Sequence, residues 1–81
     1  MAATLTLYAR SYCHLCDEMI GQLKPLQDEL GFVIDVVDVD HHPALEARYG
    51  ELVPVLAAGG TEICHYHLDA DRLRAYLTEN R

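Results

Sequence analysis

The sequence predicts an α/β domain: a four-stranded mixed sheet flanked by helices, in the order βαβαββα. Three observations point to it. Hydrophobic spacing alternates along the chain between the two-residue period of strands and the three-to-four-residue period of helices. A long helical stretch separates the first two strand-like runs, which calls for a parallel pair joined by a right-handed crossover. The last two strand-like runs flank Gly59-Gly60, the signature of a tight antiparallel hairpin.

Taken in order, Thr4 to Ala9 reads as the first strand, with Leu5 to Tyr8 as its apolar heart. From about His14 to Leu30, the residues Leu15, Met19, Ile20, Leu23, Leu26 and Leu30 recur at helical steps, and Gly31 ends the stretch. Gly21 and Pro25 lie inside it. Proline lacks a backbone donor and its ring crowds the preceding turn, so a kink near Gly21 or two successive helical pieces are expected. Phe32 to Val39 is a β-branched run and reads as a second strand, mostly buried on both faces. His41-His42-Pro43 reads as a loop entering a short helix with proline at its first position, closed by Gly50, with Leu45 and Tyr49 as its apolar contacts. Val53 to Ala58 and Thr61 to Tyr66 are the two hairpin strands. Asp69 then caps a last helix through about Thr78, with Ala70, Leu73, Tyr76 and Leu77 along one side.

Composition narrows the function. Eighty-one residues with 51% hydrophobic content make one small domain, 1–81, with one core and no room for a lid. Thirteen acidic against six basic side chains give a formal charge of -7, so the attraction that drives binding to nucleic acid or an anionic membrane is missing. No apolar run approaches the roughly 18 residues that span a bilayer, and the N-terminus lacks a secretory pattern. The expectation is a cytoplasmic monomer.

Chemistry concentrates at Cys13 and Cys16, two residues apart, where the first strand hands over to the first helix. At a helix start, Cys13 would meet unpaired backbone N–H groups and the positive end of the helix dipole, both of which favour thiolate. A zinc site built on such a pair usually brings a second pair or spaced histidines, whereas here the third cysteine, Cys64, lies far down the chain. Metal binding and two inert thiols stand as the alternatives.

The C-x-x-C after the first strand, the Val53-Pro54 step opening the third and the element order together resemble the thioredoxin fold in its minimal, glutaredoxin-sized form. More narrowly, Cys13-His14-Leu15-Cys16-Asp17-Glu18, Val37-Asp38-Val39-Asp40, Arg48-Tyr49-Gly50 and Val53-Pro54-Val55-Leu56 resemble the short bacterial glutaredoxin-like proteins. The resemblance covers essentially the whole chain. It implies a thiol–disulfide oxidoreductase in which Cys13 attacks a disulfide and Cys16 resolves the mixed disulfide. It further implies that Pro54 follows a cis bond and faces the cysteines, and that the backbone N–H of Val53 pairs with the substrate backbone. The implied partner is a disulfide-containing protein or a small thiol. No resident cofactor or metal is implied, and glutathione enters as a candidate co-substrate.

Several neighbours join the candidate site. Arg10 matches a basic residue of glutaredoxins and would add positive potential, which Asp17 and Glu18 oppose. Tyr12 would shape a substrate groove or cover the core. His14 stands where common glutaredoxins carry proline, and in its protonated form would favour a nearby thiolate. The Gly-Gly and acidic pair that hold glutathione in that family are replaced by Cys64-His65-Tyr66-His67-Leu68-Asp69, which leaves Asp69 as the one polar partner. Cys64 is read first as a small core residue. His65 and His67 share a strand face and are read first as surface groups, metal ligation being the alternative. Asp35, Asp38 and Asp40 are read as a solvated edge, and His41 and His42 as loop residues. A second function class, a non-catalytic binding module on the same fold, would hold a metal through the pair or dock a protein without turnover.

Overall fold

Leu5, Leu7 and Ala9 alternate with Thr4, Thr6 and Tyr8, and this two-residue period forms β1 (Thr4–Ala9), whose first set is buried. The computed structural model describes residues 3–79. Within them β1 is followed by α1 (His14–Leu30), β2 (Val33–Asp38), a short 3-10 turn (Val39–His41), α2 (Pro43–Tyr49), β3 (Val55–Ala58), β4 (Thr61–His65) and α3 (Ala70–Glu79). The sheet order is β2-β1-β3-β4. β1 and β2 are parallel, while β3 is antiparallel to both β1 and β4. This is the βαβαββα arrangement expected from the sequence.

The two faces of the sheet are covered separately. Leu5, Leu7, Leu56, Ala58 and Ile63 pack against Met19 and Leu23 of α1 and Leu73 of α3. Each buried leucine, isoleucine or methionine here stabilises the fold by about 2 kcal/mol relative to exposure. Tyr8 and Val55, their alternates, meet Tyr49 of α2 and Val39 in a smaller cluster. There the rings of Tyr8 and Tyr49 stack with centroids 4.3 Å apart. Gly59 and Gly60, at φ of 56° and 85°, take the left-handed conformations that a two-residue hairpin turn demands.

Several local expectations are corrected. α1 runs as one uninterrupted helix through Gly21 and Pro25, rather than as two pieces. Both residues lie on its exposed side, so the Gly21 carbonyl that Pro25 leaves without a donor is on the solvent side of the helix, while Cys16, Met19 and Leu23 hold the other side in the core. β2 stops at Asp38, where the Asp38 carboxylate accepts the N–H of Asp40 at 2.8 Å and turns the chain into the 3-10 segment. Nor is β2 buried on both faces. It is an edge strand, and Val33 and Val36 are 49% and 54% exposed. β3 begins after Val53-Pro54, since Pro54 has no N–H to give a ladder. β4 ends at His65, because Tyr66 takes a positive φ of 64° that leaves the extended region.

Candidate active site

Strand register gathers the functional segments. Ala9 lies beside Asp38, Tyr8 opposite Val55, and Val55 opposite His65. The carboxyl ends of β1, β2 and β4 therefore share one end of the sheet with the start of β3. Val53-Pro54, the Arg10–Cys13 loop and the His65–Asp69 segment all lie at that end, and so does the start of α1.

Cys13 is the N-cap of α1, in extended conformation at φ −102° and ψ 105°. Its sulfur accepts the N–H of Cys16 at 3.1 Å, and its carbonyl accepts the N–H of Asp17 at 3.2 Å. One orphan donor of the helix start is thus aimed at the sulfur, where charge on a reduced Cys13 would be stabilised. The Cys13 and Cys16 sulfurs lie within disulfide-bonding distance, with Cα atoms 5.2 Å apart. Their exposure differs. Cys13 is half-buried, whereas Cys16 is 2% exposed beneath the first turn. Of the pair, Cys13 is the residue open to solvent.

Tyr12 precedes the pair at a positive φ of 59° and is fully exposed, covering no part of the core. The His14 imidazole is also exposed and lies 3.3 Å from the Glu18 carboxylate, one turn along α1. Arg10 is committed elsewhere. Its guanidinium donates to Asp40 at 2.7 and 3.1 Å and to the Gly50 carbonyl at 3.0 Å, tying the end of β1 to the segments after β2 and α2. Gly50 is required at this junction, because an added Cβ would stand 2.5 Å from the Glu46 carbonyl oxygen.

Val53 packs against the smaller cluster, and Pro54 is fully buried after a cis peptide bond. The Pro54 carbonyl accepts the N–H of Tyr66 at 2.9 Å, and the Tyr66 hydroxyl donates to the Glu51 carbonyl at 3.0 Å. Asp69 caps α3, its carboxylate accepting the N–H of Arg72 at 3.0 Å. Cys64 belongs to the main core, where burial pushes its thiol pKa up. Of the two histidines, His65 ends β4 and pairs with Glu62 at 2.8 Å, while His67 lies beyond the strand. Among the described residues, no three His, Cys, Asp or Glu side chains are grouped to hold a metal ion.

Sequence reasoning did not single out the groove beside Cys16. It opens between α1 and β2 with a volume of about 200 Å³, lined by Ala9, Cys16, Ile20 and Val36 together with Arg10, Asp17 and Asp38. Ile20 carried only the helical period of a core residue and Val36 only that of a strand. Their meeting depends on β2 standing at the sheet edge, which no local pattern encodes.

Residues 4–78 match the family model described as a glutaredoxin-like domain (DUF836). An uncharacterized protein of Mycobacterium tuberculosis strain H37Rv is 36% identical over 79 residues, spanning 91% of this chain and 81% of that protein. A protein of Nitrosomonas europaea solved by NMR is 41% identical, covers 94% of this chain and 92% of its own, and superposes with a TM-score of 0.85. Thioredoxin 1 of Thermosipho africanus, at 18% identity, shares the fold with a TM-score of 0.63 over 96% of this chain and 99% of its own. Among the described residues, no helix is long and apolar enough to cross a membrane. With a thioredoxin fold, a cysteine pair at disulfide distance and a family match over nearly its whole length, the chain belongs to the glutaredoxin-like domain family.

Proposed function

We propose that the protein is a thiol–disulfide oxidoreductase working through Cys13 and Cys16. The carrying observation is the asymmetry of the pair: an accessible sulfur capped by a helix-start N–H, bonded to a buried one a single turn below. In the reduced protein, the Cys13 thiolate attacks one sulfur of a substrate disulfide, and the other sulfur leaves and takes up a proton. The Cys16 thiol then loses its proton and attacks Cys13, expelling the second substrate thiol and closing the internal disulfide. Two electrons and two protons pass to the substrate. A thiol reductant reverses the steps to recharge the pair.

The remaining site residues take supporting roles in this reading. Tyr12 offers an aromatic surface beside the nucleophile, and the Val53-Pro54 segment supplies a backbone edge for the substrate chain. His14 modulates the thiolate through its charge state. Arg10 acts by holding the loop before Cys13 in place. Asp69 is engaged at the α3 cap, so glutathione as co-substrate would be held by fewer groups than in glutaredoxins.

The test is a redox titration of the wild type by thiol trapping across glutathione ratios, with Cys13→Ser and Cys16→Ser beside it. The expected result is one reversible two-electron transition, loss of disulfide reduction in Cys13→Ser, and a trapped mixed disulfide in Cys16→Ser. A pair that never interconverts, or full reductase activity in Cys13→Ser, would refute the reading.

A further inference from the structure

We propose that the disulfide delivered to Cys13 belongs to a polypeptide with basic residues beside its cysteine, a specificity that rests on the redox reading above. Charge around the groove at Cys16 is left uncompensated. Among the described residues, Arg10 is the one basic side chain lining the groove next to Cys16, and its guanidinium is held by the Asp40 carboxylate. Two further carboxylates line the same groove, Asp17 and Asp38. Asp17 has no ion-pair partner among the described residues. Among the described residues, the one ion-pair partner of Asp38 is His41 at 3.6 Å, which compensates it only when protonated. For Glu18, next along α1, the one ion-pair partner among the described residues is His14. With the histidines neutral, the groove at Cys16, one turn of α1 below Cys13, therefore carries net negative charge, in a chain of formal charge -7. Such a charge raises the local concentration of cationic substrates and repels anionic ones.

Shape selects a polypeptide over a small thiol. At about 200 Å³ the groove falls below the roughly 300 to 1,000 Å³ of sites that engulf a small ligand. Its walls Ala9, Ile20 and Val36 are apolar, so it takes one or two side chains, or the aliphatic stem of a lysine or arginine whose charged end reaches Asp17 or Asp38. Tyr12, fully exposed just before Cys13, extends the contact surface beyond the groove. A substrate laid across this end of the sheet meets apolar and acidic groups in succession. A basic chain suits both.

The experiment uses the full chain, reduced and freed of reductant, with three synthetic peptides that share one intramolecular disulfide and differ only in flanking Lys, Ser or Glu. Each rate is divided by that of free mercaptoethanol with the same peptide, which removes intrinsic reactivity. The Lys peptide is expected to react about tenfold faster than the Glu peptide at low salt, with the gap closing near 0.5 M salt as screening sets in. In the Asp17→Asn/Asp38→Asn double variant the ratio should fall several-fold. Asparagine keeps the oxygen that caps the 3-10 turn, and any change in the nucleophile affects all peptides alike. Equal rates for the three peptides, or a faster Glu peptide, would overturn the charge inference while leaving the redox reading intact. The small disulfides cystamine, cationic, and dithiodipropionate, anionic, form a second arm, in which a preference for cystamine with no advantage of the Lys over the Ser peptide would overturn the polypeptide source. Failure of even the Ser peptide to react would remove the redox reading and this inference with it.

Discussion

The guanidinium of Arg10 donates two hydrogen bonds to a single carboxylate oxygen of Asp40, thirty residues along the chain, at 2.7 and 3.1 Å, and so spends its charge there and not on the cysteines. A third bond to the Gly50 carbonyl makes this side chain a bracket between the end of β1 and the segments that follow β2 and α2.

Breaking that bracket should loosen the sheet end more than it alters the chemistry. Arg10→Gln and Asp40→Asn are each expected to cost about 1 kcal/mol, since both partners are only partly exposed and the bonds are charge-assisted. Urea denaturation of both single variants and the double variant checks this. Strictly additive losses would show that the pair is not coupled.

Serine and alanine at position 13 should separate capping from chemistry. Both substitutions remove the disulfide, yet a serine oxygen can accept the N–H of Cys16 as the sulfur does, and alanine cannot. Cys13→Ser should therefore exceed Cys13→Ala in stability by about 1 kcal/mol, with neither reducing disulfides. Equal unfolding midpoints would mean that the cap contributes nothing.

The exposed side of α1 carries unused stability. Pro25 and Gly21 sit inside a continuous helix, and nothing lies within 4 Å of a Cβ built on Gly21. Gly21→Ala should stabilise by about 0.5 to 1 kcal/mol, and Pro25→Ala by about 1 to 3 kcal/mol. Thermal unfolding reads both. A lower midpoint for either variant would indicate that the residue serves a purpose the helix geometry does not reveal.

Cys64 should make stability pH-dependent at alkaline pH. Burial raises its thiol pKa above the ordinary 9.0, although the backbone of Asp69 partly offsets this. The neutral thiol favours the folded state. Its contribution is full below the unfolded pKa and is lost as pH rises through the raised folded value, because the unfolded chain releases the proton first. In the oxidised protein, where Cys13 and Cys16 hold no titrating thiol, stability should fall more steeply above about pH 9 in wild type than in Cys64→Ala. Parallel pH profiles of the two proteins would contradict it.

Much of this molecule is legible from neighbours in sequence. The helical period of Met19 and Leu23, the Gly59-Gly60 turn and the Asp69 cap each depend on residues within a few positions of one another, and each element forms where those patterns indicate. The position of Cys13 at a helix start is of the same kind. Tertiary structure alone decided that β2 would stand at the sheet edge with Val33 and Val36 exposed, that Ile20 and Val36 would frame a groove at Cys16, and that Asp40 would take the charge of Arg10. A β-branched run looks the same at the edge of a sheet as at its centre. The order β2-β1-β3-β4 arises from pairings between distant strands, and those pairings set which faces meet solvent and which charges meet each other.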